Sequence, residues 1–139
     1  MAGRVPVVLH AASDGPSAER VASRVGSDFP GTRFIVVVPG PDIVDLAGLI
    51  AELRPVSAEV VLTRVALLPD GLDPVVEIAV GVTGQDFLFT VPDLAEAITW
   101  ARAGALRDDL EGTGVLDTGA ARTLAEARAI LRAAPPPGA

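Results

Sequence analysis

The feature that most constrains this chain is an unbroken apolar run, Phe34-Ile35-Val36-Val37-Val38, ended by Pro39-Gly40-Pro41-Asp42. Continuous β-branched runs of this length belong to strands covered on both faces, because an exposed face would alternate with polar residues. A shorter run at residues 4–9 precedes it, and Pro6 suits the beginning or the edge of a strand. Each run leads into an amphipathic helix. Ala18, Val21, Ala22 and Val25 form one apolar face after Ser13-Asp14-Gly15-Pro16. Ile43, Leu46, Ala47, Ile50 and Leu53 form the second, closed by Pro55. Residues 4–54 therefore read β-α-β-α, with parallel strands joined by a right-handed crossover.

Beyond residue 55 the periodicity changes. Residues 58–68 read as a long strand and Pro69-Asp70-Gly71 as a turn. In residues 75–82, Val76, Ile78, Val80 and Val82 alternate with Val75, Glu77, Ala79 and Gly81, which predicts an antiparallel return strand with one wetter face. A third short strand is expected at residues 87–90. Thr90-Val91-Pro92-Asp93 resembles a helix start, and Leu94, Ala97, Ile98 and Ala101 give that helix its apolar face up to Gly104. Trp100 falls off this stripe. Residues 107–110 suggest a single turn, 112–114 a loop and 118–133 a last helix. The fold expected is one three-layer α/β domain over residues 1–133. Its elements run β-α-β-α-β-β-(β)-α-α around a mixed sheet of about five strands. The Pro-rich residues 134–139 are expected to be a disordered tail.

Composition narrows the chemistry. The 139 residues hold no cysteine, which removes thiolate nucleophiles, disulfides and sulfur-bound zinc. All eleven basic residues are arginines, so a phosphate-loop lysine and a Schiff-base lysine are both missing. Abundant Ala, Arg, Gly and Pro point to a GC-rich coding sequence of bacterial type. A net charge of −7 opposes nucleic acid. No run is long and apolar enough for a membrane span, and no leader pattern opens the chain, so a cytoplasmic protein is expected.

Candidate sites gather at the carboxyl ends of the first two strands, where open α/β sheets bind ligands. His10, the only histidine, is a candidate general base or phosphoryl acceptor, with Asp14 or Asp42 as the orienting acid. Ser13 and Gly40 are candidate ligand contacts at the same edge. Arg64 interrupts an apolar strand and suits an anionic ligand. Val76, Ile78, Phe87, Phe89 and Trp100 are candidate interface residues. No carboxylate cluster suggests a metal, and no cofactor motif is present: "GVTG" and "GTG" lack the spacing of a phosphate-binding turn.

Two partial likenesses bear on function. Pro69-Asp70 with Glu77-Ile78-Ala79 resembles the acidic part of a PD-(D/E)-x-K nuclease motif, but its lysine position is Ala79. The segments "VVLH" and "FIVVVPGPDIVDL" resemble the opening of sulfur-relay proteins of the DsrE/DsrF class. Members that carry sulfur need a cysteine that this chain lacks, so that assignment is not adopted. The reading favoured from sequence is a non-catalytic interaction or accessory module, self-associating or bound to a protein partner. A small enzyme or phosphocarrier acting through His10, and an anionic-ligand domain, stand as alternatives.

Overall fold

The computed structural model describes residues 6–40, 43–63, 74–84, 88–107 and 113–133. The chain runs β1 (Val7–Ala11), α1 (Gly15–Asp28), β2 (Arg33–Pro39), α2 (Leu46–Leu53), β3 (Ser57–Thr63), α3 (Pro74–Thr83), β4 (Leu88–Thr90), α4 (Leu94–Arg107), β5 (Thr113–Gly119) and α5 (Ala121–Ala133). A 3-10 turn at Arg54–Val56 links α2 to β3.

The five strands lie in the order β1-β5-β2-β3-β4, and every pairing is parallel. The α/β class and the five-stranded sheet agree with the expectation from sequence. The mixed sheet and the element order do not. Residues 75–82, expected as an antiparallel strand, are helical and lie within α3. The physical reason is connectivity. Parallel β3 and β4 are neighbours, and parallel strands need a crossover of a dozen or more residues, usually helical. The tertiary arrangement overrides the β-propensity of Val76, Ile78, Val80 and Val82. Residues 113–119, part of which read as a loop, form the central strand β5, and the last helix starts at Ala121. The expected Pro69-Asp70-Gly71 turn and the tail at 134–139 fall outside the described residues.

Helices cover both faces. Val21 and Val25 of α1, Leu49, Ile50 and Leu53 of α2, and Val76 and Ala79 of α3 pack with Phe34, Val36, Val38, Leu62 and Leu116. Leu94, Ala97, Ile98 and Ala101 of α4 and Ala127 of α5 pack with Ile35, Val37, Val61 and Val115 on the other face. Burying each large aliphatic side chain contributes about 1.5–3 kcal/mol relative to exposure. The continuous run in β2 is thereby explained, since alternate residues serve opposite cores. Chain direction fits right-handed crossovers. β1 to β4 progress one way under α1, α2 and α3, and the return to β5 passes over the opposite face through α4.

Gly114 sits where β5 passes Phe34. A Cβ there would lie 2.8 Å from the Phe34 ring. Phe34 in turn meets Phe29 edge-on, with ring centroids 5.9 Å apart.

Candidate functional site

The order β1-β5-β2 creates a switch point at the carboxyl edge. The connections of β1 and β2 leave toward α1 and α2 on one face, and that of β5 leaves toward α5 on the other. Crevices of doubly wound sheets open at such points. Main-chain hydrogen bonds bind the loops of this edge together. The Ala12 N–H donates to the Gly119 carbonyl at 3.0 Å, and the Asp45 N–H donates to the Ser13 carbonyl at 2.9 Å. Gly119 has φ +140°, and a Cβ there would lie 2.9 Å from Pro39 Cγ. Glycine is needed for both reasons. The first turns of α1 and α2 lie side by side with Gly15 beside Gly48, and Gly48 leaves the room that the capping Asp45 carboxylate occupies.

The polar groups of the β1–α1 loop are largely committed to structure. Asp14 is the N-cap of α1. Its Oδ1 accepts from the Ser17 N–H at 2.9 Å and from Ser17 Oγ at 2.6 Å. Ser17 Oγ accepts in return from the Ser13 and Asp14 N–H groups at 3.0 and 3.2 Å. This capping box satisfies donors that the helix leaves open. The Ser17 hydrogen bonds, side chain first and then backbone, hold the Asp14 carboxyl below the ordinary aspartate value. Asp45 caps α2 in the same manner, accepting from the Gly48 N–H at 3.0 Å.

The sequence-derived candidates therefore separate. Ser13 and Gly40 do lie at one edge, joined through Asp45 and through the Ile43 N–H bond to the Gly40 carbonyl. His10 pairs with Thr118 in the sheet register and lines an open depression with Ser17, Arg20, Val21 and Arg24. The charged neighbours lining that depression are Arg20 and Arg24, and the carboxylate of Asp14 is turned to its own helix. Asp42, Arg64 and Phe87 fall outside the described residues. Val76 is 8 % exposed and belongs to the core beneath α3, whereas Ile78 is 48 % exposed. Phe89 on the edge strand β4 contacts Trp100 of α4, centroids 4.9 Å apart, which accounts for Trp100 lying off the helix's apolar stripe.

Sequence reasoning missed Asp117 and Thr118. Asp117 lies mid-sheet between Leu9 and Val37, and burial pushes its carboxyl up to about 7 against the lowering pull of Arg102. Thr118, beside His10, has a buried Oγ without a hydrogen-bond partner among the described residues. The available signal was the short apolar pair Val115-Leu116, too brief by itself to mark the seven-residue strand around it. Among the described residues no three histidine, aspartate or glutamate side chains converge to hold a metal ion. No helix among them is long and apolar enough to cross a membrane.

No protein-family model matches the sequence, and no curated protein matches it. Solved structures do. Nearly the whole chain resembles part of a folylpolyglutamate synthase. The Mycobacterium tuberculosis enzyme complexed with ADP and AMPPCP aligns over 94 % of this chain and 30 % of its own, with 29 % identity and a TM-score of 0.74. The bifunctional folylpolyglutamate synthase/dihydrofolate synthase of Yersinia pestis, complexed with AMPPNP and a Mn ion, aligns over 91 % of this chain and 28 % of its own. It is 20 % identical with a TM-score of 0.65. E. coli FolC in complex with ADP gives the same identity and TM-score, over 95 % of this chain and 30 % of its own. At 20 % identity these last two support the fold alone. The chain spans about three tenths of the length of the solved proteins it matches.

This likeness overturns the expectation of a non-catalytic interaction or accessory module, together with the His10 phosphocarrier and the stand-alone anionic-ligand domain. The matched proteins were solved with ADP, AMPPCP or AMPPNP, and those of Mycobacterium tuberculosis and Yersinia pestis are synthases. A tendency to self-associate draws no support from them.

Proposed function

We propose that this chain acts as one domain of a nucleotide-dependent ligase of the folylpolyglutamate synthase kind, its carboxyl edge turned toward the nucleotide-bearing remainder. The observation that carries this reading is the chain-wide likeness to the mycobacterial synthase solved with ADP. The switch point at β1, β5 and β2 supports it, because a carboxyl edge of that topology is where doubly wound sheets take a ligand.

The chain's own residues position rather than react. The capping box and the Asp45–Ser13 bond hold the β1–α1 and β2–α2 loops in a fixed relation. With no lysine and no phosphate-loop pattern in the sequence, contacts of that type to the nucleotide's phosphates come from the remaining part of such an enzyme. The partner required is accordingly protein, namely that remainder, and the acidic balance keeps nucleic acid and anionic membranes away. The setting is cytoplasmic.

A domain exchange tests this. The matching three tenths of the mycobacterial synthase is replaced by this chain, and ADP release dependent on both glutamate and folate is measured. Turnover above that of the synthase lacking the segment is expected. Ser13→Tyr at the carboxyl edge is expected to abolish it, and Glu19→Tyr on the outer face of α1 to leave it intact. A chimera that melts cooperatively yet forms no such ADP overturns the proposal.

A further inference from the structure

β5 is the strand at which the two helical layers meet, and Asp117 sits in its middle at 2 % exposure. Leu9 and Val37 flank it in register, and side-chain alternation from Val115 puts it on the face beneath α4 and α5. Neither carboxylate oxygen has a hydrogen-bond partner among the described residues. Across the seam, Arg102 of α4 has a buried Nε that also lacks one. The apolar groups of this face include Val37 from β2, Leu9 from β1, Ala101 and Ala105 from α4, and Ala127 and Leu131 from α5, and α5 also buries the hydroxyl-bearing Thr123. Arg122, Glu126, Arg128 and Arg132 of α5 are exposed. Arg102 is thus the charged side chain, among the described residues, that bears on Asp117.

Buried polar groups left without partners, a carboxyl on the central strand and a guanidinium on the helix packed over the same face, make an arrangement that responds to charge. A neutral carboxyl tolerates this site, whereas a carboxylate needs donors. We propose that Asp117 and Arg102 form a protonation-controlled seam between the central strand and α4: with Asp117 neutral the helix lies closed on the sheet, and loss of the proton to solvent loosens it, Arg102 limiting how far. The raised carboxyl value given above places the transition near neutral pH, where it acts as a regulator. The loosening reaches the edge strand, because α4 carries Trp100 against Phe89. This inference stands whether or not the ligase reading holds.

The test is amide hydrogen exchange of the intact chain at about pH 5.5 and about pH 8.5, corrected for intrinsic exchange, with the Asp117 carboxyl carbon followed by NMR. Residues 94–107 are expected to lose protection about tenfold or more at the higher pH, with residues 15–28 unaffected. Asp117→Asn, or Asp117→Val should the amide fold poorly, is expected to hold α4 protection constant. Arg102→Gln is expected to move the carboxyl midpoint upward. Equal α4 protection at both pH values in the unaltered chain, or the same loss in the Asp117 variants, overturns the proposal.

Discussion

At the scale of single residues, the carboxyl edge depends on positions where a side chain has no room or a polar group has one fixed task. Gly119→Ala places a Cβ against the Pro39 ring in a backbone region that alanine avoids. A loss of about 1–3 kcal/mol is expected, read from the midpoint of urea denaturation at unchanged slope. Asp45→Ala removes the α2 cap, and about 1 kcal/mol is expected to go with it. Asp45→Asn keeps an acceptor and is expected to recover most of that loss, which separates capping from charge. A loss with asparagine equal to that with alanine counts against the capping account. The start of α1 was legible in sequence from its Ser-Asp-Gly-Pro stretch, whereas Asp45 was not read as the cap of α2. Asp14's commitment to Ser17 was not legible either, because a carboxylate near a histidine reads equally well as a cap or as a catalytic partner until its hydrogen bonds are located.

At the scale of elements, β1, α1, β2 and α2 were readable because each carries one period over its whole length. Residues 74–83 were not, for a definite reason. Val76, Ile78, Val80 and Val82 satisfy a strand's two-residue period, yet what decides between strand and helix is the packing of the segment on α2 and the sheet and the parallel pairing of β3 with β4, which its own residues do not encode. A pair of substitutions distinguishes the two. In a strand, Val76 and Ile78 share a face and respond alike. In α3, Val76 faces the core and Ile78 faces outward. Val76→Asp is therefore expected to lose about 2–4 kcal/mol, and Ile78→Asp to stay within about 0.5 kcal/mol of the parent. Equal losses refute the helical assignment. β5 was hidden differently: Thr113, Gly114, Thr118 and Gly119 give a turn-like composition to a strand that is buried along its length. Gly114 is there for the Phe34 ring, not for a turn.

At the scale of the whole molecule, two carboxyl groups set opposing limits on stability against pH. Asp14 has a folded value below its unfolded one, so its contribution is present above the ordinary aspartate value of 3.8 and is lost as pH falls further. Asp117 is the reverse. Its folded value of about 7 lies above 3.8, so the native state holds the proton more tightly over that interval, and stability declines as pH climbs through it. The decline runs at about 1.4 kcal/mol per pH unit at most and levels off once the native group has itself ionised. Over the whole interval it amounts to an order of about 4 kcal/mol, reduced to the extent that α4 opens and water or Arg102 meets the charge. That is a large share of a small domain's net stability. The stability maximum is expected at about pH 4–5, lower than the range of about pH 5–8 where maxima tend to lie. Thermal melts from about pH 3 to about pH 9 locate it, and Asp117→Asn removes the upper limb while leaving the acid limb in place. The α4 seam is thereby expected to be nearest to opening around neutral pH. An unaltered chain whose melting temperature holds flat from about pH 5 to about pH 8 contradicts both the burial of an unpartnered carboxyl at position 117 and the regulation drawn from it.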